Sequence, residues 1–311
     1  MPRVVWLNGR VVDAVDARVS AFDAGVQHGV GLFETMLAEA TGASPSGRVF
    51  RLAEHLARLE SSSRALGLMT SLNTRALAEA VEGVVSESGL CAGGGGRARV
   101  RLTVTGGDLN MLTAARSGGG GAGSDPTVLI DAQPAQSYPA AMFENGVRLL
   151  VASAKANPLN EHEGHKTLNY WWRLRALQEA ASKGCGEALV LQVTNHLCGG
   201  AVSNVFVVKG GVLMTPIARG EEKEGGVPSP VLPGVTRGLM LELARERGVR
   251  VETRMLSVED ALDAEEVFLT NSGWGVLPVS GIEQGAIGGG GVGELTRELR
   301  VAWEGAVGSE V

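Results

Sequence analysis

The sequence lacks the features that mark several large classes of protein. Its three cysteines, Cys91, Cys185 and Cys198, are far apart, which predicts free thiols in a reducing cytoplasm rather than a disulfide framework. No apolar run is long enough to span a bilayer, and we expect no N-terminal secretory signal. His162 and His165 are three residues apart, but no cysteine or carboxylate pattern completes a metal site around them. The net charge of −6 gives no reason to expect nucleic acid or an anionic membrane as a partner.

The length of 311 residues suits two domains better than one core. The segment Gln133-Pro-Ala-Gln-Ser-Tyr-Pro139 has the composition of a linker, and no internal repeat is present. We therefore predict an N-terminal domain over 1–132, a linker over 133–140 and a C-terminal domain over 141–311.

Periodicity and turn signals predict a mixture of helices and strands in both domains. Asn8-Gly9 is a strong hairpin signal between two short strands. Glycine-rich segments at 93–96, 117–125 and 285–293 are predicted loops. The predicted strands are 4–7, 10–12, 32–37, 97–105, 127–131, 147–152, 188–193, 205–208 and 266–270. The predicted helices are 49–68, 74–88, 167–177, 234–247 and 294–303.

Basic residues share a face in two elements of the first domain. Arg51, His55 and Arg58 lie at i, i+4 and i+7 of the helix predicted at 49–68. Such a face is either solvated or anion-binding, because arginine offers a planar fork that suits phosphate. Three arginines alternate with apolar residues in the strand 97–105, where they line a cleft or face water.

Lys166 is the candidate for chemistry. It stands at the start of the helix predicted at 167–177, which is apolar on more than one side. Apolar surroundings disfavour the charged form of a lysine, and a neutral amine is a nucleophile towards carbonyls. A solvated surface lysine is the alternative.

Three separate stretches are candidates for holding an anion: Arg51, the helix start Val235-Thr236, and the strand end Thr270-Asn271. Free N–H groups and the helix dipole favour negative charge at a helix start. One reactive lysine together with these anion sites fits a phosphate-bearing aldehyde cofactor, of which pyridoxal 5′-phosphate (PLP) is the common one.

Six motifs in order resemble the class IV aminotransferases, the fold-type IV PLP enzymes. That family includes the branched-chain and D-amino-acid aminotransferases, the (R)-amine transaminases and aminodeoxychorismate lyase. The resemblance covers nearly the whole chain. Its motifs are Gly31-Leu-Phe-Glu-Thr35, Phe50-Arg-Leu-Ala-Glu-His-Leu-Ala-Arg-Leu59, His165-Lys-Thr-Leu-Asn-Tyr170, Ser203-Asn-Val-Phe206, Pro233-Gly-Val-Thr-Arg237 and Leu269-Thr-Asn-Ser272.

The resemblance implies a fold, a cofactor and a set of roles. The fold is α+β with two domains, a smaller N-terminal α/β domain and a larger C-terminal domain with a pseudo-barrel of strands. The assembly is a homodimer with each active site at the domain interface, touched by the partner subunit. Lys166 is the catalytic residue and holds PLP as a Schiff base. Phosphate contacts come from Arg51, the backbone of Val235 and Thr236, and Thr270 or Asn271. Phe33 and Thr35 face the substrate, and Tyr170 either reaches the ring hydroxyl of the cofactor or belongs to the core.

One position departs from the family. A glutamate that pairs with the pyridine nitrogen lies five residues before the asparagine of Ser203-Asn-Val-Phe206, and here that position is Gly199. Two explanations remain open: an active enzyme with a weaker contact at the ring nitrogen, or a non-catalytic PLP-binding relative. We expect Gly199→Glu to restore a charged contact if the backbone there accepts a side chain.

The spacing from Lys166 to Asn169 indicates the subgroup. It is three residues, which resembles the D-amino-acid aminotransferases and the lyase. In the branched-chain enzymes the corresponding spacing is four residues, with two glycines between. Leu269-Thr-Asn-Ser272 is lyase-like, but Thr105 is followed by Gly106-Gly107 where the lyase has Arg-Gly. The sequence therefore favours transamination of D-amino acids or (R)-amines, with aminodeoxychorismate lyase as the alternative.

Overall fold

The protein divides into two compact units. The first contains the described residues up to Gln136, together with Lys166–Asn169, Gly308 and Ser309; the second contains Ser137–His165 and Tyr170–Val307. Lys166 therefore belongs to the first unit although both of its flanks belong to the second. The structure, a computed structural model, describes residues 4–41, 44, 46–69, 71–92, 96–108 and 126–309. The predicted loop at 117–125 and residues 93–95 of the glycine run lie outside these ranges.

The first unit is built on one antiparallel sheet with the strand order β2-β1-β6-β5-β3-β4. Asn8 and Gly9 take positive φ angles of 48° and 91°, and the hairpin predicted around them is confirmed. The last strand continues past the predicted end at 131 into the segment predicted as a linker. The strands are β1 (Val4–Leu7), β2 (Arg10–Asp13), β3 (Gly31–Glu39), β4 (Arg48–Val49), β5 (Arg97–Thr105) and β6 (Val128–Pro134).

Helices α1 (Ala24–His28), α2 (Leu52–Ala65) and α3 (Thr74–Ser88) belong to the first unit. The prediction for α3 is confirmed, and the side chain of Asn73 caps it. The prediction that α2 spans 49–68 is wrong at its start, because Val49 pairs with Ala38 in the sheet. Apolar residues of β5 pack with α2 and α3 in one core, which leaves the three arginines of β5 on its other face.

The second unit contains a nine-stranded mixed sheet with the order β12-β11-β10-β13-β14-β7-β8-β9, and β15 pairs with β14. Strand β7 runs parallel to both of its neighbours. No helix in the described ranges is long and apolar enough to cross a membrane. The strands are β7 (Val147–Val151), β8 (Glu187–Leu191), β9 (Leu197–Gly200), β10 (Asn204–Lys209), β11 (Val212–Thr215), β12 (Arg250–Thr253), β13 (Glu266–Asn271), β14 (Gly275–Ile282) and β15 (Gly285–Ala286). The helices are α4 (Ala140–Glu144), α5 (Trp171–Ser182), α6 (Val235–Glu246), α7 (Val258–Leu262) and α8 (Glu294–Ser309).

Two predictions for the second half of the chain are wrong at element ends. The loop predicted at 285–293 begins with β15, and the last helix continues to Ser309 instead of ending at Trp303. Helix α6, by contrast, begins and ends within one residue of the predicted bounds 234–247.

The segment after Lys166 is not helical. Thr167 forms a bridge with Leu32, and the Leu168 amide donates to the carbonyl of Gly31 at 2.9 Å. The predicted helix therefore begins only at Trp171, because Thr167 and Leu168 pair with β3 instead of coiling. Tertiary pairing overrides the helical periodicity of this stretch.

Candidate active site

Lys166 lies beside the aromatic ring of Phe33. Its Nζ is 4.4 Å from the ring centroid, and the Phe33 amide donates to the Lys166 carbonyl at 2.9 Å. The guanidinium carbon of Arg101 is 3.9 Å from the same centroid, and Arg101 is the cross-strand neighbour of Thr35. Both cations are held at the ring by its quadrupole. Two positive charges therefore converge at Phe33, which favours an anionic group nearby.

Glu34, His55 and Arg58 form a buried charge cluster in the first unit. Glu34 Oε2 is 2.7 Å from His55 Nδ1, and Arg58 Nε donates to Glu34 Oε1 at 2.9 Å. Burial alone would raise the pKa of Glu34, but the charge of Arg58 and the bond from His55 lower it to about 2. Burial lowers the pKa of His55 as well.

This cluster corrects the interpretation of the basic helical face. His55 and Arg58 are neither a solvated face nor an anion site, because both are committed to Glu34. Sequence reasoning missed the pairing because Glu34 is 21 residues from His55 and lies in a different element. A glutamate within the largely apolar strand β3 is the available signal, since a buried carboxylate requires a cation.

Arg51 is separated from that cluster. It takes a φ angle of 50°, unusual for a residue with a side chain, and immediately precedes α2. Its guanidinium lies 3.5 Å from Glu54 Oε1, and 18% of its side chain is exposed. Of the three basic residues predicted on this face, Arg51 alone lies outside the buried cluster.

In the second unit, Thr270 and the start of α6 meet at Asn204. The Thr270 Oγ1 atom is buried and receives no hydrogen bond from any residue in the described ranges. Thr270 is the cross-strand neighbour of Asn204, and a Cβ atom added to Gly234 would lie 2.1 Å from Asn204 Oδ1. Helix α6 begins directly after Gly234 with Val235 and has no side-chain cap. An orphaned hydroxyl and an uncapped helix start together favour a bound anion.

Asn271 and Tyr170 have structural partners. Asn271 Oδ1 accepts from the Gly273 and Trp274 amides at 2.8 and 3.0 Å, which closes the turn after β13. Tyr170 is the residue that precedes α5, and its carbonyl accepts from the Leu174 amide at 3.0 Å. Thr236, the second residue of α6, is buried.

Gly199 has no room for a side chain. Its φ angle is 155°, and a Cβ atom would lie 2.6 Å from the backbone oxygen of Ser203. Real Cβ atoms do not approach a backbone oxygen so closely, so the expected rescue by Gly199→Glu would require the backbone to move. The condition attached to that variant is not met in this backbone.

Glu187 on the neighbouring strand supplies a carboxyl group next to the same turn. It accepts from the Ala188 and Ala201 amides at 2.9 and 3.3 Å and from Ser203 Oγ at 3.3 Å. Burial raises the pKa of Glu187 to about 7. The sequence does not point to Glu187, because it lies outside the motif around Gly199 and only the pairing of β8 with β9 brings it to this turn.

Comparisons with known proteins cover nearly the whole chain. The profile of the family described as Amino-transferase class IV matches residues 31–282. The branched-chain-amino-acid aminotransferase of Escherichia coli K12 is 30% identical over 304 residues, which are 97% of this chain and 92% of that protein. The D-alanine aminotransferase of Bacillus licheniformis is 29% identical over 306 residues, which are 98% of each.

Solved structures agree with the sequence relatives. The crystal structure of the Escherichia coli branched-chain enzyme matches with a TM-score of 0.85 at 29% identity, covering 100% of this chain and 96% of that one. The 4-amino-4-deoxychorismate lyase of Pseudomonas aeruginosa matches with a TM-score of 0.77 at 30% identity, covering 96% and 97%. These matches confirm the predicted two-domain α+β fold.

Proposed function

The chain belongs to the class IV aminotransferases, and we propose that it moves the amino group of a D-amino acid or an (R)-amine to a 2-oxo acid. Members of this family are fold-type IV enzymes that use PLP, so the chain is a PLP-dependent aminotransferase with an amino donor and an oxo acid as substrates. The observation that carries the donor class is the three-residue spacing from Lys166 to Asn169, which resembles the D-amino-acid enzymes. The likeness to the D-alanine aminotransferase supports it.

The residues of the chain fit this cofactor. The orphaned buried hydroxyl of Thr270 and the uncapped start of α6 match the needs of a phosphate group. The amine of Lys166 matches the need of an aldehyde for a nucleophile. When bound, PLP supplies an electron-accepting ring that stabilises negative charge at the substrate Cα.

Lys166 would hold the cofactor and serve as the proton carrier. Once its amine is released by the donor, it would take the proton from the substrate Cα as a general base and return a proton as a general acid. The ring of Phe33, 4.4 Å from Nζ, fixes the amine on one side.

The phosphate group would be held by Arg51, by the backbone amides of Val235 and Thr236, and by Thr270 Oγ1. Asn271 would act mainly by shaping the adjoining turn, since its side-chain oxygen already accepts two amides. Gly199 would offer no side chain to the ring nitrogen of the cofactor, and Tyr170 would contact the ring hydroxyl.

The substrate would be placed by Phe33, Thr35 and Arg101. Arg101 adds a second cation beside Phe33, and a guanidinium fork suits the carboxylate of an oxo acid acceptor. An arginine at this place favours acceptors with a carboxylate over simple ketones.

We also propose a cytoplasmic homodimer. Phe22 and Val26, next to and within α1, are 66% and 62% exposed, which favours burial against a second copy. Cys91, Cys185 and Cys198 are free thiols, in keeping with a reducing compartment.

The lyase remains a second candidate, favoured by Leu269-Thr-Asn-Ser272 and by the match to the Pseudomonas aeruginosa enzyme. An absorbance scan of the holoenzyme with single substrates separates the candidates. Conversion to the pyridoxamine form by D-alanine or an (R)-amine supports the proposal, and conversion by L-leucine alone overturns its donor class. Release of pyruvate and 4-aminobenzoate from aminodeoxychorismate, without conversion by any donor, identifies the lyase. A bound cofactor that no substrate converts would indicate a binding protein.

A further inference from the structure

A buried ion pair joins the loop before Lys166 to the helix after it. Arg173 Nη2 is 2.7 Å from Glu163 Oε2, and the two side chains are only 15% and 10% exposed. The partners are ten residues apart, and Lys166–Asn169 lie between them in the chain. The pair therefore closes a ring of backbone that contains the lysine.

Arg173 is anchored by more than Glu163. Its guanidinium carbon lies 4.4 Å from the ring centroid of Trp172, and it forms a hydrogen bond with the Cys198 thiol. Cys198 in turn donates to the carbonyl of Pro230 at 3.6 Å. The cation is thus fixed by strand β9 as well as by its own helix.

The loop that carries Glu163 is held a second time through its backbone. Arg219 Nε donates to the Glu163 carbonyl at 2.9 Å. Gly164 has a φ angle of 79°, and a Cβ atom there would lie 2.6 Å from Arg219 Nε and 2.7 Å from the Ser229 carbonyl oxygen. Only glycine allows this close approach, so one arginine holds the carboxylate of Glu163 and another holds its carbonyl.

The segment inside the ring is short and extended. Within the first unit, the Phe33 amide donates to Lys166 and the Leu168 amide donates to Gly31. These two bonds hold four residues whose neighbours on both sides belong to the other unit. The ion pair between Glu163 and Arg173 fixes the chain on both sides of this short segment, which removes most of the segment's remaining conformational freedom.

We propose that the Glu163–Arg173 pair is a positioning pair for Lys166, which fixes where the lysine amine stands. A buried ion pair rarely adds net stability over apolar residues of the same volume, so stability alone does not account for it. A reacting group must be held within a fraction of an ångström, and fixed supporting contacts provide that. The inference rests on the proposed role of Lys166.

The test begins with the full-length protein freed of cofactor. Hydrogen exchange of the Leu168 amide is measured in wild type, Glu163→Gln and Arg173→Lys, with Glu179→Gln as the matched control. That control removes an exposed pair with Lys183 on the same helix. We expect Leu168 to exchange about tenfold faster or more in Glu163→Gln, while α3 amides and the control stay unchanged.

The second readout is spectroscopic. The visible absorbance of the lysine-bound cofactor is titrated with pH, and its midpoint should move by about half a pH unit or more in Glu163→Gln. Arg173→Lys keeps the buried positive charge, so the midpoint of that variant should stay close to the wild-type midpoint. Should a single variant fail to fold, Glu163→Gln/Arg173→Gln carries a neutral hydrogen-bonded pair and replaces it.

Two results would overturn the proposal. One is an unchanged Leu168 exchange rate in every variant, and the other is an equal acceleration of α3 and Leu168, which would reveal a stability effect only. If wild-type holoenzyme shows no pH-dependent cofactor band, the proposed role of Lys166 fails, while the exchange rates still decide whether the pair fixes the segment.

Discussion

At the scale of single residues, the pKa values of two buried glutamates are shifted in opposite directions. The pKa of Glu34 is lowered to about 2, because Arg58 and His55 outweigh the desolvation. The pKa of Glu187 is raised to about 7, because its donors are amides and a hydroxyl, which compensate desolvation less than a cation does. Burial raises the pKa of a carboxyl group in both places, and only a cation beside it, as at Glu34, reverses the direction.

Glu187 should make the protein less stable as pH rises from about 4.5 to about 7. In this pH range the native state binds the proton of Glu187 more tightly than the unfolded state does. The stabilisation is therefore complete below about pH 4.5 and is lost as the pH rises through about 7. A rise of about 2.5 pKa units at about 1.4 kcal/mol per unit gives at most ~3.5 kcal/mol. Denaturant unfolding at pH 5 and pH 8 checks this, since Glu187→Gln should remove that slope. Equal slopes in both proteins would contradict the assignment.

Arg58→Ala should destabilise the fold by about 3–5 kcal/mol, because it leaves the buried carboxylate of Glu34 without its cation. The pKa of Glu34 is lowered, so its stabilisation is present above pH 4.5 and is lost as pH falls towards 2. Unfolding curves at pH 7 and pH 3 measure the loss, which should shrink at pH 3. A variant as stable as wild type at pH 7 would refute the cluster.

Arg51→Ala should weaken cofactor binding by ~1.5–3 kcal/mol, the range for a hydrogen bond to a charged group. Arg58 is no control for this variant, since its loss disturbs the core. Arg64→Ala is the matched control, because Arg64 lies on the same helix with a side chain that is 67% exposed. Cofactor titration of the two apoproteins gives the affinities. Equal affinities would remove Arg51 from the phosphate site.

At the scale of elements, glycine geometry at the start of α6 shapes the proposed phosphate site. Gly234→Ala would place a methyl group 2.1 Å from Asn204 Oδ1 and push the helix start away from Thr270. We expect a loss of about tenfold or more in cofactor affinity, whereas Gly238→Ala, with open space at its Cβ position in the same helix, should bind normally. Normal binding by both variants would contradict the placement of the phosphate.

Helix ends with a local capping signal were predictable, and helix starts displaced by pairing with a distant strand were not. Helix α3 follows its predicted bounds because Asn73 caps one end and Gly89 the other. Thr167 lies in a stretch with helical periodicity but pairs with Leu32 in β3, which is 135 residues away and which periodicity does not reveal. Helix α2 begins later than predicted for the same reason, because Val49 in β4 pairs with Ala38 in β3.

At the scale of the whole molecule, the sequence predicts two units and, within each unit, the residues of a candidate site. Lys166 with Phe33 in the first unit, and Thr270 with the start of α6 in the second, were all named from motifs. The pairings Glu34–His55–Arg58 and Glu163–Arg173, and the approach of Glu187 to the turn after Gly199, were not predictable. They depend on which side chains the fold brings together, and composition and spacing leave that open.

Lys166 matters at each of these scales. It is the proposed cofactor residue, its carbonyl accepts a hydrogen bond from β3, and it belongs to the first unit while both of its flanks belong to the second. Borohydride reduction of the holoenzyme, followed by peptide mapping, tests its role most directly. Reduction makes the link between lysine and cofactor permanent. The account predicts a pyridoxyl group on the peptide that contains Lys166 and none on that peptide in Lys166→Ala. A pyridoxyl group on Lys155, Lys183, Lys209 or Lys223 instead, or on no lysine at all, would contradict it.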